Sequence, residues 1–377
     1  MNAIHTDTLA TERQAFADLA KDFSMKKLAE HREDHDRYPF GALFTDAIND
    51  AGVVGFYAIN LPVDYGGVGM NAVMVAAILE KLSEVDASLA GVVLTNAAAL
   101  EIIQVATERN GSQGIYQNAG KFGTRPLAFQ TYAGPKEIEM PVADDSGTAL
   151  TGRVPYLVLG GFADFAVIPA RHSGKDGFSY YLVDIGGSKV HKSGTVVSLG
   201  LHACPAVDVI LDNVPAYLIG TRGEGREYFE TMRDRLSVCS AAMALGIMRG
   251  SLEDALRYTA DRYQGGRQII DWPQVRMMLA NMAVEVKVAE SCLAEARREI
   301  DCEKQGWEMT SQAAAIHICE LANRATADGV QLFGGNGYTK DYPQEKRMRD
   351  AKQVQCLLGM ALMRKMDFIA RVIEERN

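Results

Sequence analysis

The spacing of apolar residues changes twice along this chain, and that change restricts the available folds more than any other feature. From about residue 9 to 122, Ala15, Leu19 and Phe23 recur four residues apart, and Leu28, Leu43, Ile48 and Val54 carry the apolar series on at about one to two helical turns within each stretch, with charges between them. That is the spacing of helices that bury one face. After a turn-rich break at Leu61-Pro62-Val63-Asp64-Tyr65-Gly66-Gly67-Val68-Gly69, the stretch from Val73 to Arg109 is apolar and rich in small residues. A helix buried on most sides reads this way. Between about 124 and 221, short runs (Tyr156–Leu159, Phe165–Ile168, Tyr180–Val183, Val207–Leu211) alternate with Gly, Pro, Asp and Ser, as strands joined by tight turns do. From Arg222 the helical period returns over Asp234–Asp261, Pro273–Lys304 and Thr310–Phe333, with a last helix expected over about Gln344 to Arg376.

Segregated runs of helix and strand specify separately packed units and exclude a Rossmann-type alternation. The expected fold is α+β and multidomain: an all-α N-terminal domain (1–123), a central β barrel or sandwich (124–221) and a C-terminal four-helix-bundle domain (222–377). A length of 377 residues at about 150 per domain agrees with that division.

Composition narrows function by exclusion. The net charge of −9 lacks the basic footprint of a nucleic-acid binder. Cys204, Cys239, Cys292, Cys302, Cys319 and Cys356 show neither zinc-site nor disulfide-framework spacing, and no His cluster carries metal-ligand spacing; His31 and His35 read as a solvated helix face. Met1 to Arg13 lacks the apolar core of a signal peptide. Leu236 to Met248, read as the longest uncharged apolar run, falls short of the ~20 residues of a membrane span. A cytoplasmic protein with no membrane span and no metal is the expectation.

The chemistry-bearing segments lie in the last third. Gln331-Leu332-Phe333-Gly334-Gly335-Asn336-Gly337-Tyr338 leads into Tyr342-Pro343 and Arg347-Met348-Arg349-Asp350-Ala351-Lys352, and Arg262-Tyr263-Gln264-Gly265-Gly266 precedes them. A double glycine between helices lets the backbone approach a ligand closely, and an arginine beside it can hold a phosphate through two hydrogen bonds. The same glycines also suit a helix C-cap.

Together these segments resemble the acyl-CoA dehydrogenase flavoprotein family. Leu61 to Gly69 is similar to its P-E-x-Y-G-G-x-G turn, Leu199-Gly200-Leu201-His202-Ala203 to its L-G-x-R-A/S segment, and Gly220 to Gly225 to the lead-in of its third domain. The resemblance implies two helical domains around a β domain, a tetramer, and FAD bound across a subunit interface. By motif, Arg262, Gln264, Gln331, Gly334 and Gly335 would reach the neighbouring subunit's FAD. Thr131 would supply a hydroxyl to the flavin, and Tyr156 would stand where the family's shielding aromatic residue does. The implied substrate is an acyl-CoA or acyl-carrier thioester, with an electron-transfer flavoprotein as redox partner.

Departures from the family are as informative. Leu358 occupies the place of the glutamate that removes the α-proton, and Phe129-Gln130-Thr131-Tyr132-Ala133-Gly134-Pro135 replaces the T-E-P-x-A-G-S-D loop. Some members place the base on the first long helix of the third domain, and Asp234 falls there; its plain alternative is a helix-start aspartate paired with Arg233 or Arg235. Three readings follow: an α,β-dehydrogenase with Asp234 as base; a repurposed flavoenzyme (desulfination, decarboxylation or oxygenation) needing no such base; or a non-catalytic subunit of a hetero-oligomeric dehydrogenase.

Overall fold

The computed structural model describes residues 3–110, 124–132, 140–172 and 177–376, with side chains from Thr11 onward. The expected boundary at 123 and residues Ala133, Gly134 and Pro135 of the replaced loop lie outside the described residues. Helices α1 (Ala3–Lys27), α2 (Arg32–His35), α3 (Ala42–Val54), α4 (Ala72–Val85) and α5 (Ala87–Asn110) come first. Strands β1 (Val142–Ala143), β2 (Ala149–Val158), β3 (Phe165–His172), β4 (Phe178–Asp184), β5 (Val190–Thr195) and β6 (Ala206–Ile219) follow. The chain ends with α6 (Gly225–Asp261), the hairpin β7 (Tyr263–Gln264) and β8 (Arg267–Gln268), then α7 (Pro273–Asp301), α8 (Trp307–Leu332), α9 (Gln344–Val354) and α10 (Ala361–Glu374).

Local chemistry starts and stops these elements. The Asn71 side chain accepts from the Val73 and Met74 amides at 3.1 and 3.3 Å, capping α4 where helix amides lack partners. The single helix expected over Gln344 to Arg376 is two helices, because Leu358 takes a left-handed conformation (φ 60°) in the break between α9 and α10. A non-glycine residue pays for that backbone, so a helical pattern of apolar spacing alone does not reveal it.

The strands form a barrel. β2 pairs with β1, β1 with β3, β3 with β4, β4 with β6, and β6 again with β2, which closes the ring. The 14-residue β6 also carries β5 as an outer strand. β4 is buried from Phe178 to Val183 on both faces, while β5 is exposed along most of its length.

Two expectations change here. Helix α5 is longer than the run at Leu236–Met248 and apolar enough by composition to cross a membrane, yet 94% of its apolar window is buried within the structure. It is a core helix wrapped by α4 and α6. The His31–His35 face is not solvated throughout: His35 is buried against Phe44 with ring centroids 5.1 Å apart, and burial holds its pKa below the usual imidazole value.

The three regions are joined at one buried carboxylate. Asp36 accepts from the Arg349 guanidinium of α9 at 2.7 Å and faces His202 Nδ1 at 3.0 Å. The other His202 nitrogen lies 2.8 Å from the Ser198 carbonyl oxygen. Both ring nitrogens therefore face acceptors, which only the imidazolium satisfies by donating twice. The hydrogen bond that His202 donates to Asp36 is the largest influence raising its pKa from 6.5, against the opposing effect of burial. A raised folded-state pKa stabilises the fold fully below the unfolded value and loses that contribution as pH climbs through the folded one. Thermal midpoints should accordingly fall as pH rises above about 6.5, and His202→Gln should flatten that dependence; identical pH curves for the two proteins would remove His202 from this role.

Candidate active site

Helix α6 ends at Asp261 and the chain turns at once into the β7–β8 hairpin, whose two-residue loop is Gly265-Gly266 with φ of 69° and 91°. Two successive positive φ values are what a type I′ hairpin turn demands, and glycine meets that demand without strain. The hairpin is solvent-exposed throughout, so Arg262 and Gln264 project from the surface. Trp272 supports its base: the indole N–H donates to the Gln264 carbonyl at 3.4 Å, and the Arg267 guanidinium sits 4.7 Å from the indole ring centroid.

The segment after Gln331 approaches the same surface from α8. Phe333 stacks on Tyr258 of α6 at 4.0 Å, nearly parallel at 14°. Asn336 donates its amide to the Tyr258 hydroxyl at 2.9 Å. The turn then folds back so tightly that a Cβ on Gly337 would lie 2.2 Å from the Val330 carbonyl oxygen; only glycine fits. Gln331, Gly334 and Gly335 remain exposed, and nothing lies within 4 Å of where side chains on the two glycines would begin. The result is a cleft of about 430 Å³ in which Arg262 faces Tyr258, Phe333, Asn336 and Tyr342. Guanidinium groups and an aromatic wall thus share one surface cleft, with the exposed Gly334 and Gly335 in the turn that contributes Asn336 to it.

Thr131 and Tyr156 form a second grouping, at the barrel mouth. Residues Phe129 and Val158 exchange backbone hydrogen bonds at 3.2 and 3.1 Å, laying the segment through Thr131 beside the end of β2. Thr131 is buried, with its hydroxyl 2.9 Å from that of Thr95 on α5. Tyr156 stands at a bulge in β2 with φ 51°, its N–H donating to Asp208 at 2.9 Å. Tyr132, which no sequence pattern singles out, meets it edge-on at 5.3 Å between ring centroids. Burial raises the pKa of both phenols, so both are neutral. Leu358 closes the grouping: its N–H donates to the Thr131 carbonyl at 2.7 Å and its side chain is buried.

Asp234 lies elsewhere, in the interior angle of α6, α8 and α10. Gln312 donates to its Oδ1 at 2.5 Å and Arg371 to its Oδ2 at 2.8 Å, while Arg233 Nε stands 3.9 Å away. Arg235 turns from it toward Glu101 and Glu108, at 2.8 and 2.7 Å. Among the described residues no hydrogen bond or ion pair joins Asp234 to Thr131 or Tyr156. On the same helices, Arg364 of α10 is a buried guanidinium reaching the Ser237 hydroxyl at 3.5 Å and the Leu357 carbonyl at 3.4 Å. Arg364 went unnoticed in the sequence because it sits among the apolar residues of Ala361-Leu362-Met363-Arg364-Lys365-Met366, where a single Arg reads as exposed.

Comparison with known proteins bears on these groupings. Residues 10–113 match the model of the acyl-CoA dehydrogenase N-terminal domain and residues 223–373 that of the acyl-CoA dehydrogenase C-terminal domain. Cyclohex-1-ene-1-carbonyl-CoA dehydrogenase of Syntrophus aciditrophicus is 26% identical over 364 residues, covering 93% of this chain and 87% of that protein. CarC, a subunit of the caffeyl-CoA reductase–Etf complex of Acetobacterium woodii, is 26% identical over 367 residues, covering 92% and 94%. The solved butyryl-CoA dehydrogenase of Megasphaera elsdenii superposes with a TM-score of 0.83 at 24% identity, covering 96% of this chain and 98% of that one.

Proposed function

The chain belongs to the acyl-CoA dehydrogenase family, and from that membership we propose that it is an FAD-dependent oxidoreductase that desaturates the α,β-bond of an acyl thioester. The carrying observation is the cleft where Arg262 faces Asn336 of the turn after Gln331 and the aromatic wall of Tyr258, Phe333 and Tyr342, since it supplies a cation and a stacking surface where the family needs a dinucleotide held. When bound, FAD accepts the hydride that leaves the β-carbon.

The outer half of the molecule fits such a group. Arg262 is exposed and free to place its planar fork on a pyrophosphate, Gln264 and Gln331 add amide hydrogen bonds, and Gly334 and Gly335 leave room for the adenosine end. At the ring end, Thr131 and Tyr156 would flank the flavin, with Tyr132 as a further wall. The role of proton acceptor falls to Asp234, since Leu358 has no basic atom. An electron-transfer flavoprotein is the expected electron acceptor, supported by the likeness to a subunit that works in an Etf complex.

Subunit assembly is part of this reading, because Arg262 and Gln331 would serve a neighbour's cofactor. Exposed apolar side chains support it: Leu362, Met366, Ile369 and Ile373 follow helical spacing along one face of α10, and Met277, Val284 and Val288 do so on α7. A homotetramer, or a hetero-oligomer with a related subunit, would cover them.

One observation favours a second reading, the non-catalytic partner subunit. The Leu358-to-Thr131 hydrogen bond seams the barrel directly to the α9–α10 break, with the partly buried Tyr132 next to Thr131, while the neighbour-facing residues stay open. Expression separates the two. The chain purified alone should be yellow, and Arg262→Gln should weaken FAD retention about 10- to 100-fold, the worth of a charge-assisted hydrogen bond of roughly 1.5–3 kcal/mol. A colourless protein that gains flavin only when assembled with a related subunit would establish the second reading instead.

A further inference from the structure

A larger cleft, of about 800 Å³, opens between α1, α4, α6, α7 and α9. Its volume lies within the roughly 300–1,000 Å³ of small-molecule sites. Six of its lining side chains are cationic and four are carboxylates, a positive excess in a chain whose net charge is −9.

The carboxylates are mostly engaged. Arg249 takes Glu84 at 3.3 Å and Glu290 at 3.0 Å, and Arg347 takes Asp254 at 2.9 Å. Arg257 reaches only Glu253, at 3.7 Å, and both side chains are well exposed. Arg32 is held by a single hydrogen bond from its Nε to the Ala29 carbonyl at 3.2 Å, and among the described residues it forms no ion pair. A partly buried guanidinium whose terminal nitrogens meet no carboxylate is a costly arrangement unless an anion completes it. Burial lowers its pKa, helped by the like charges of Arg347 and Arg257 and opposed by the carboxylates of Asp254 and Asp86.

We propose that this cleft binds a phosphorylated small molecule, its phosphate gripped by Arg32 and Arg257 and its organic body laid against Met25, Leu252 and Leu256. Guanidinium forks match phosphate oxygens in pairs, and a phosphomonoester dianion suits the excess of positive charge. The cleft is far larger than one phosphate, and the apolar strip gives the remainder of the ligand a surface to cover. Arg32 and Arg257 also line the smaller cleft that holds Arg262, whereas Met25, Leu252 and Leu256 line only the larger one; the two clefts adjoin and share those arginines, and the apolar strip sets the larger one apart.

Calorimetric titration of the assembled protein with AMP and with inorganic phosphate, at ionic strength fixed by sodium chloride, tests the assignment. AMP should bind saturably and more tightly than inorganic phosphate. Arg32→Gln and the exposed Arg257→Gln should each weaken it at least tenfold, and Arg262→Gln should leave it within twofold. The assignment is overturned by AMP that fails to saturate, by phosphate binding as tightly as AMP, by unchanged affinity in a folded Arg32→Gln protein, or by loss of affinity in Arg262→Gln. Flavin content, read independently from visible absorbance in each variant, keeps failure here separate from failure of the oxidoreductase reading.

Discussion

Asp234→Ala is expected to slow anaerobic bleaching of the flavin by an acyl-CoA substrate about 10²- to 10⁴-fold, the usual worth of a positioned general base. The geometry frames why the loss should appear in rate and not in folding. Gln312 and Arg371 each hold one oxygen of the carboxylate, yet a carboxylate offers about four lone-pair directions. A proton acceptor therefore persists on each oxygen while the two donors fix its aim. Truncation leaves Arg371 partly exposed, and Arg233 keeps Asp367 as a partner, so the stability cost should stay near the ~1 kcal/mol of an accessible ion pair. Asp234→Asn preserves both shape and hydrogen bonding and should fail as Ala does; Asp234→Glu should retain part of the rate. Bleaching at the unaltered rate in Asp234→Ala, with flavin content intact, would take the base role from this residue and leave either a reaction without one or a subunit without chemistry.

Legibility in the sequence followed the range of the interactions involved. The helical–strand–helical order was readable because burial of one face imposes a period on each element, and a central barrel or sandwich followed from the strand and turn spacing, the closure of β6 on β2 deciding between them. Arg262 and the Gln331–Gly337 turn were readable because their backbone demands, two positive φ values and a Cβ-free crossing over Val330, force glycine into the sequence. The break at Leu358 was not, since a leucine in a left-handed conformation carries no local mark. Nor was the seam to Thr131, a backbone contact between residues more than two hundred positions apart, which any pair of residues can make. Tyr132, Thr95 and Arg364 were missed for a related reason. Each is an ordinary residue type whose meaning lies in what tertiary packing sets beside it.

The largest effect on stability is expected from Lys346→Met. Lys346 is buried between two buried carboxylates, 3.1 Å from Asp86 and 2.6 Å from Asp350. Burial opposes ionisation of all three groups; Lys346 overcomes it at Asp86, holding that pKa below the ordinary value, while at Asp350 burial and the neighbouring Asp86 charge leave it raised. Removing the lysine strands two like charges in an apolar setting, a change that costs about 3–5 kcal/mol for a buried pair. The damage should spread to the flavin-side grouping. Asp350 also accepts the Leu201 N–H at 2.7 Å, one residue before His202, and α9 runs directly into the break at Leu358. Thermal unfolding should show a clear drop in midpoint for Lys346→Met, and adding Asp350→Asn should recover part of it, because the second change removes one stranded charge and keeps an acceptor for Leu201. A double variant no more stable than the single one would mean that the lysine matters for its packing, and that the charges at this junction of the three regions are not what hold it together.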